Sequence, residues 1–149
     1  MKRTEPLLLH HSWPIFEQAR HFDLGSVINS AVTDALDPAR VGELGLHHAG
    51  LWECDLRDDR LTWSGGTYDI FGLPRGARVK RDEVVALYCE ESRAAMERLR
   101  VHAIKHRRGF TLDAEIRPVS GERRWMRLIA APTCENGVVR RLHGLKLIV

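Results

Sequence analysis

The 149-residue chain has little cysteine, no long apolar run and none of the short signatures of catalysis. Its three cysteines, Cys54, Cys89 and Cys134, are odd in number and far apart, and no CxxC pair occurs. That excludes a disulfide framework and gives no reason to expect a structural metal site. No stretch approaches the roughly 18 consecutive apolar residues that a membrane helix needs. The leucines at 7–9 fall short of the roughly 7–15 residue apolar core of a signal peptide, and His10 and His11 end the run. The chain is therefore expected to be cytoplasmic, with no membrane partner. GxSxG, HExxH and Walker sequences are all missing, and no carboxylate stands with a base in a recognisable frame. The expectation is a protein that is not an enzyme.

Charge is present but uneven. Residues 1–109 hold 16 Lys/Arg against 16 Asp/Glu, whereas residues 110–149 hold 7 against 4. The net +3 thus lies wholly in the C-terminal segment, around Arg123, Arg124, Arg127, Arg140 and Arg141. One reading is a face that meets an acidic partner. The plainer one is a solvated sheet face. Glu122 and Glu135 interrupt the run and no helix-turn-helix or RNP motif accompanies it, so nucleic-acid binding is not expected.

Periodicity divides the chain. Residues 1–11 read as a loose terminus and residues 12–46 as helical. Leu24, Val27, Ile28, Ala31, Ala35 and Leu36 recur at three- and four-residue intervals as one apolar stripe. Asp37-Pro38 then reads as an N-cap and first helical position, opening a short helix with Val41 and Leu44 inward. From Gly50 the period changes. "GLWECDL" and "RLTWS", separated by "RDD", predict a hairpin. "TYDIFGLP" predicts a short helix closed by Gly72, and 82–87 and 92–106 predict two more, the last ended by Gly109. "FTLDAEIR" alternates as a strand, with Phe110, Leu112, Ala114 and Ile116 on one side. "ERRWMRLIAAP" follows the Ser120-Gly121 turn as a second strand. Asn136-Gly137 is a hairpin signal leading into "VVRRLHGLKLIV". Two strands, several short helices and three antiparallel strands argue an α+β fold with helices on one sheet face.

This order, with "AGLWECDL", "RLTWSGGTYDIFGLP", "YCEESR", "FTLDAEIRPVSGERRWMR" and "GVVRRLHGL" in sequence, resembles the PAS domain, in the subclass common in bacterial sensor histidine kinases. The resemblance covers about 46–149. It implies a five-stranded antiparallel sheet with short helices on one face, preceded by an N-terminal tail and helical extension at 1–45. Against the family's pattern, Cys54 stands in place of a second Trp, Ala114 in place of a large aromatic, and Gly65 and Gly66 in place of acidic residues. Each change either enlarges or loosens the central pocket, or is compensated by repacking. Tyr88 and Cys89 replace a His-Pro pair before the long helix. The usual Asp-Ile-Thr exit of the family is absent.

The resemblance further implies a pocket beside Trp52, Cys54, Phe71, Phe110, Leu112, Ala114 and Leu142, for a small ligand of unstated identity. Haem-binding members ligate iron through a His on the long helix, which makes His102 and His106 candidate haem ligands. The other reading of His106 is a helix-end position favoured by the dipole. Apart from that haem, the residues name no cofactor. A light-oxygen-voltage flavin site needs a Cys motif on the first helix, and "GGTYDIFG" has none. Leu24, Val27, Ile28, Ala31 and Leu36, with Leu145 and Leu147 on the last strand, are the expected dimer or partner interface. The functional expectation is a single-domain sensory or regulatory protein of a two-component system. It would act by homodimerisation and by binding a signalling partner such as a histidine kinase, with a pocket ligand modulating both. The alternative is a haem- or small-molecule-binding sensor that is a fragment of a larger histidine kinase.

Overall fold

The computed structural model describes residues 10–22, 49–119 and 121–149. Its centre is a six-stranded antiparallel sheet: β1 (His10–Pro14), β2 (Ala49–Asp55), β3 (Arg60–Trp63), β4 (Arg108–Ile116), β5 (Arg124–Glu135) and β6 (Val138–Ile148). The spatial order is β1-β4-β5-β6-β2-β3. Strands β2 to β6 are the five that the sequence predicts, and β1 is an addition at the β4 edge.

The predicted turns have the backbone they need. Asn136 and Gly137 take φ of 52° and 77°, the paired positive values of a type I′ hairpin between β5 and β6. Gly72 closes α2 (Gly65–Phe71) in the left-handed region at φ 70°. A short α3 (Arg81–Val85) and a 17-residue α4 (Glu90–His106) follow, all three on one face of the sheet. Helix α4 ends at Arg107, which takes φ 55°, and not at Gly109, which is already inside β4.

The loop between α3 and α4 lacks a rigid His-Pro turn and is fixed by side chains instead. The Arg93 guanidinium donates to the carbonyls of Val85, Ala86 and Tyr88 at 3.1, 3.3 and 2.8 Å. The Cys89 amide donates to the Glu115 carbonyl at 2.9 Å, and the Glu115 amide to Ser92 Oγ at 2.8 Å. The turn thereby becomes an extension of the sheet edge.

Two apolar layers sandwich the sheet. On the helix face, Trp52, Cys54, Phe110, Leu112, Ala114, Ile116, Met126, Leu128 and Leu142 pack with Ile70, Phe71, Tyr88 and Met96. On the outer face, Ile129, Ala131 and Leu145 are covered by Trp13 and Phe22. Residues 12–14, read from sequence as the start of a helix, are strand; α1 (Gln18–Phe22) begins only after the 3₁₀ turn Ile15–Glu17. The reason is Trp13, whose indole lies over Gly109 on the partner strand and donates to Thr111 Oγ1 at 3.1 Å. Leu24, Val27, Ile28, Ala31 and Leu36 lie outside the described residues.

Gly66 does not loosen α2 but brings it against β2. A Cβ on Gly66 would sit 2.0 Å from the Ala49 carbonyl oxygen, and one on Gly50 would sit 2.2 Å from Thr67 Oγ1. The glycines let α2 lie directly on β2, where Thr67 Oγ1 donates to the Leu51 carbonyl at 2.8 Å. Gly66→Ala is therefore expected to lose about 1–3 kcal/mol of stability through forced separation of these backbones. The midpoint of urea unfolding reads this directly, and an unchanged midpoint would contradict the close contact.

Candidate functional site

Strand β6 pairs with β5 on one side and β2 on the other, so its residues occupy the middle of the sheet. Side chains alternate along it, and Leu142 and Lys146 face the helices while Leu145 faces the outer layer. Lys146 is thus carried into the core, opposite Gly50 on β2 and Leu128 on β5. It is 6% exposed.

Four aromatic rings surround its amine. Nζ lies 4.8 Å from the centroid of Phe71, 5.3 Å from Trp52, 5.7 Å from Trp63 and 5.8 Å from Tyr88. These distances fall within the range where a ring face attracts a cation. Trp63 stacks on Phe71 at 5.1 Å, which holds two of the walls in place. The amine also donates to Tyr88 Oη at 3.4 Å, a long contact. No carboxylate among the described residues pairs with it. Burial lowers the Lys146 pKa from the ordinary lysine range to about 7, with the Arg81 charge adding to the effect and Cys54 opposing it. Burial likewise pushes the Tyr88 hydroxyl well above its usual value.

A cavity of about 60 Å³ adjoins the amine. Trp52, Cys54, Phe110 and Leu142 line it with Lys146, Tyr88 and Met96, and Arg81 and Arg100 complete the wall. Both arginines reach in from partly exposed positions where each is ion-paired, Arg81 with Glu97 and Arg100 with Asp59. Burial raises the Cys54 thiol pKa, with Arg100 pulling the other way. Among the expected pocket residues, Phe71 flanks the amine without lining the cavity. Leu112 and Ala114 are fully buried in the same core, away from the space. Ala114 stands opposite Met126, which is itself fully buried.

His102 and His106 do not face this space. Both are exposed, with ring centroids 4.5 Å apart on the solvent side of α4. The buried residues of that helix are Ala95, Met96 and Ala103. His106 has the angular position of Leu99, but it lies in the last turn, where the helix leaves the sheet and nothing covers it. The space beside Lys146 fits neither haem nor flavin: the two histidines point away from it, and at about 60 Å³ it is far below the roughly 300–1,000 Å³ of sites for ligands of that size. No group of three or more His, Cys, Asp or Glu among the described residues is arranged to hold a metal ion.

The expected interface residues divide. Leu145 is buried beneath the N-terminal segment, and Leu147 packs at the margin of the same layer. The C-terminal arginines are partly accounted for within the chain: Arg127 grips Asp113 through two contacts of 2.8 and 3.2 Å, and Arg141 meets Glu53 at 2.6 Å. Arg127 and Arg141 are thus tied across neighbouring strands by ion pairs.

No family model matches the chain, and no curated protein matches it. Solved structures do. The N-terminal domain of a diguanylate cyclase with a PAS/PAC sensor from Marinobacter aquaeolei superposes with a TM-score of 0.61 at 15% identity, over 67% of this chain and 94% of that one. A sensory box histidine kinase/response regulator from Burkholderia thailandensis gives 0.61 at 19% identity, over 76% and 85%. An RNA-binding light-oxygen-voltage receptor gives 0.60 at 16% identity, over 68% of this chain but 29% of the receptor. This chain has the PAS fold. The Lys146 cavity lies between the PAS sheet and its helices, and no helix among the described residues is long and apolar enough to cross a membrane.

Lys146 was absent from the residues predicted to form the pocket, although a signal for it existed. Placing Leu142 inward and Leu145 and Leu147 outward fixes the phase of β6, and that phase puts Lys146 inside.

Proposed function

We propose that the chain is a sensory PAS module without catalytic activity of its own, which takes a small ligand beside Lys146 and passes the change to a partner protein. The observation that carries this reading is the lysine amine buried among four aromatic rings, with no carboxylate partner among the described residues, next to a cavity. An apolar side chain there would cost no desolvation, so stability alone gives no reason to keep an amine in that place. Buried ionisable groups facing a cavity are where function concentrates.

The strand offers a route outward. Lys146 faces the cavity, while its neighbours Leu145 and Leu147 belong to the opposite layer under Trp13 and Phe22. A ligand that moves β6 at Lys146 therefore moves the outer face one residue away, where a partner would read the shift in population. The named relatives include a histidine kinase and a diguanylate cyclase, which makes a signalling enzyme the partner class to test, together with a second copy of the chain.

Thermal unfolding with a panel of small charged and neutral metabolites tests the ligand site. The expected result is a subset that raises the melting temperature of the wild-type protein and has no effect on Lys146→Met. Equal shifts in both proteins would place binding elsewhere. Sedimentation velocity at tens of micromolar tests self-association, and a monomer throughout would remove the homodimer from the reading.

A further inference from the structure

Two strong donors at this site, on Lys146 and on Trp52, have capacity left over. Lys146, when protonated, brings three N–H groups, and Tyr88 Oη takes one of them at a long 3.4 Å. Trp52, which lines the same cavity, carries the only buried side-chain nitrogen or oxygen without a hydrogen-bond partner among the described residues, its indole Nε1. Buried donors without acceptors are rare and costly, and a bound acceptor removes that cost.

Charge points the same way. The polar and titratable groups that line the cavity with Lys146 are Trp52 and Cys54 from β2, Arg81 from α3, Tyr88 from the following loop and Arg100 from α4. None is a carboxylate. The acidic partners of the two arginines, Glu97 and Asp59, are about half exposed, at 40% and 49%, so they neutralise the mouth and leave the interior amine unanswered.

Size sets the remaining limit. At about 10–15 Å³ per water-sized probe, a cavity of about 60 Å³ holds roughly four to six such spheres. We propose that this cavity binds a small monovalent oxyanion of formate or acetate size, held by the protonated amine of Lys146 and the indole N–H of Trp52. The inference rests on reading the cavity as the ligand site. A divalent oxyanion brings a second charge that nothing inside neutralises, whereas the aromatic walls suit the methyl group of acetate.

Binding is then linked to protonation. Burial holds the free Lys146 amine at a pKa of about 7, and an adjacent carboxylate favours its charged form, so the anion enters with a proton above that pH. Affinity is expected to fall about tenfold per pH unit above 7.

Isothermal titration of the full chain with acetate, formate and the neutral isostere acetamide, at constant ionic strength in chloride, tests this. Saturable binding of an acid, at least about tenfold tighter than acetamide and weakening with rising pH, is the expected result. Lys146→Met should abolish it. Trp52→Phe keeps the aromatic face, removes only the donor, and should weaken binding by about tenfold. Equal binding of acetate and acetamide, lost in Lys146→Met, would overturn the anion class while keeping the cavity as a ligand site. Absence of acetate and formate binding would overturn the anion class as well, and the wider metabolite panel then decides the ligand site separately.

Discussion

Lys146→Met is expected to stabilise the ligand-free protein by about 2–4 kcal/mol at pH 6, and to remove a dependence of stability on pH that the natural protein should show. In the folded chain burial depresses the Lys146 pKa to about 7, while the unfolded chain keeps the ordinary lysine value near 10.5. Between those values the unfolded state holds a proton that the folded state has released. Stability therefore rises with pH in this window, by up to about 1.4 kcal/mol per unit, and the contribution is lost as pH falls through 7. Methionine fills a similar volume, carries no proton and has no such slope. The advantage of the variant should shrink by about 2 kcal/mol between pH 6 and 8.5.

Other groups titrate nearby, which sets the range. His143, also on β6, has its pKa lowered by burial, and its contribution is lost on the acid side; that term is common to both proteins and cancels in their difference. Cys54 and Cys89 have raised thiol pKa values, so their contributions are lost at the alkaline end as pH rises, which is why the comparison stops at 8.5. Urea unfolding of both proteins at several pH values measures the difference. Parallel curves would mean that Lys146 keeps an ordinary pKa in the folded state, and the site would lose its physical basis. A more stable variant that binds no ligand is the outcome expected when a residue serves function at the expense of the fold.

How much of this was readable in advance depended on whether the signal was local. The Asn136-Gly137 hairpin, the Gly72 helix stop and the alternation from Phe110 to Ile116 are encoded within a few residues, and the structure has each of them. Strand β1 was not readable. Its five residues end in Pro14, and it pairs with β4 across almost a hundred positions, so neither periodicity nor turn chemistry marks it. The alternation of β6 did place position 146 on the helix face with Leu142, but a lysine is the residue type least expected in a core. The charge of Lys146, and not the phase of the strand, kept it out of the predicted pocket. His106 failed for another reason: helical phase gives a direction around the axis and says nothing about where along it the cover ends. Gly66 was misread because a missing side chain looks like freedom in a sequence, whereas here it is the contact surface for the Ala49 carbonyl.

The second large effect concerns the outer layer. Trp13→Ala is expected to cost about 3–5 kcal/mol, the range for truncating a fully buried tryptophan. Its indole stacks on His21 at 4.3 Å, meets Phe22 edge-on at 6.2 Å and donates to Thr111. Without it β1 and α1 lose their anchor, and Ile129, Ala131 and Leu145 come into contact with water as one apolar patch, which should appear as self-association or dye binding. Gly109→Ala reaches the same state from the other side, because its Cβ would lie 2.2 Å from the indole ring and evict it. The two changes break one contact, so their effects should not add. The double variant should be about as stable as Trp13→Ala alone, since alanine at 109 fits once the indole is gone. Additive losses would mean that Trp13 and Gly109 act separately, and the N-terminal strand would then be held by its ladder hydrogen bonds and the Arg108 grip on Ser12, at 2.9 and 3.2 Å, more than by the tryptophan.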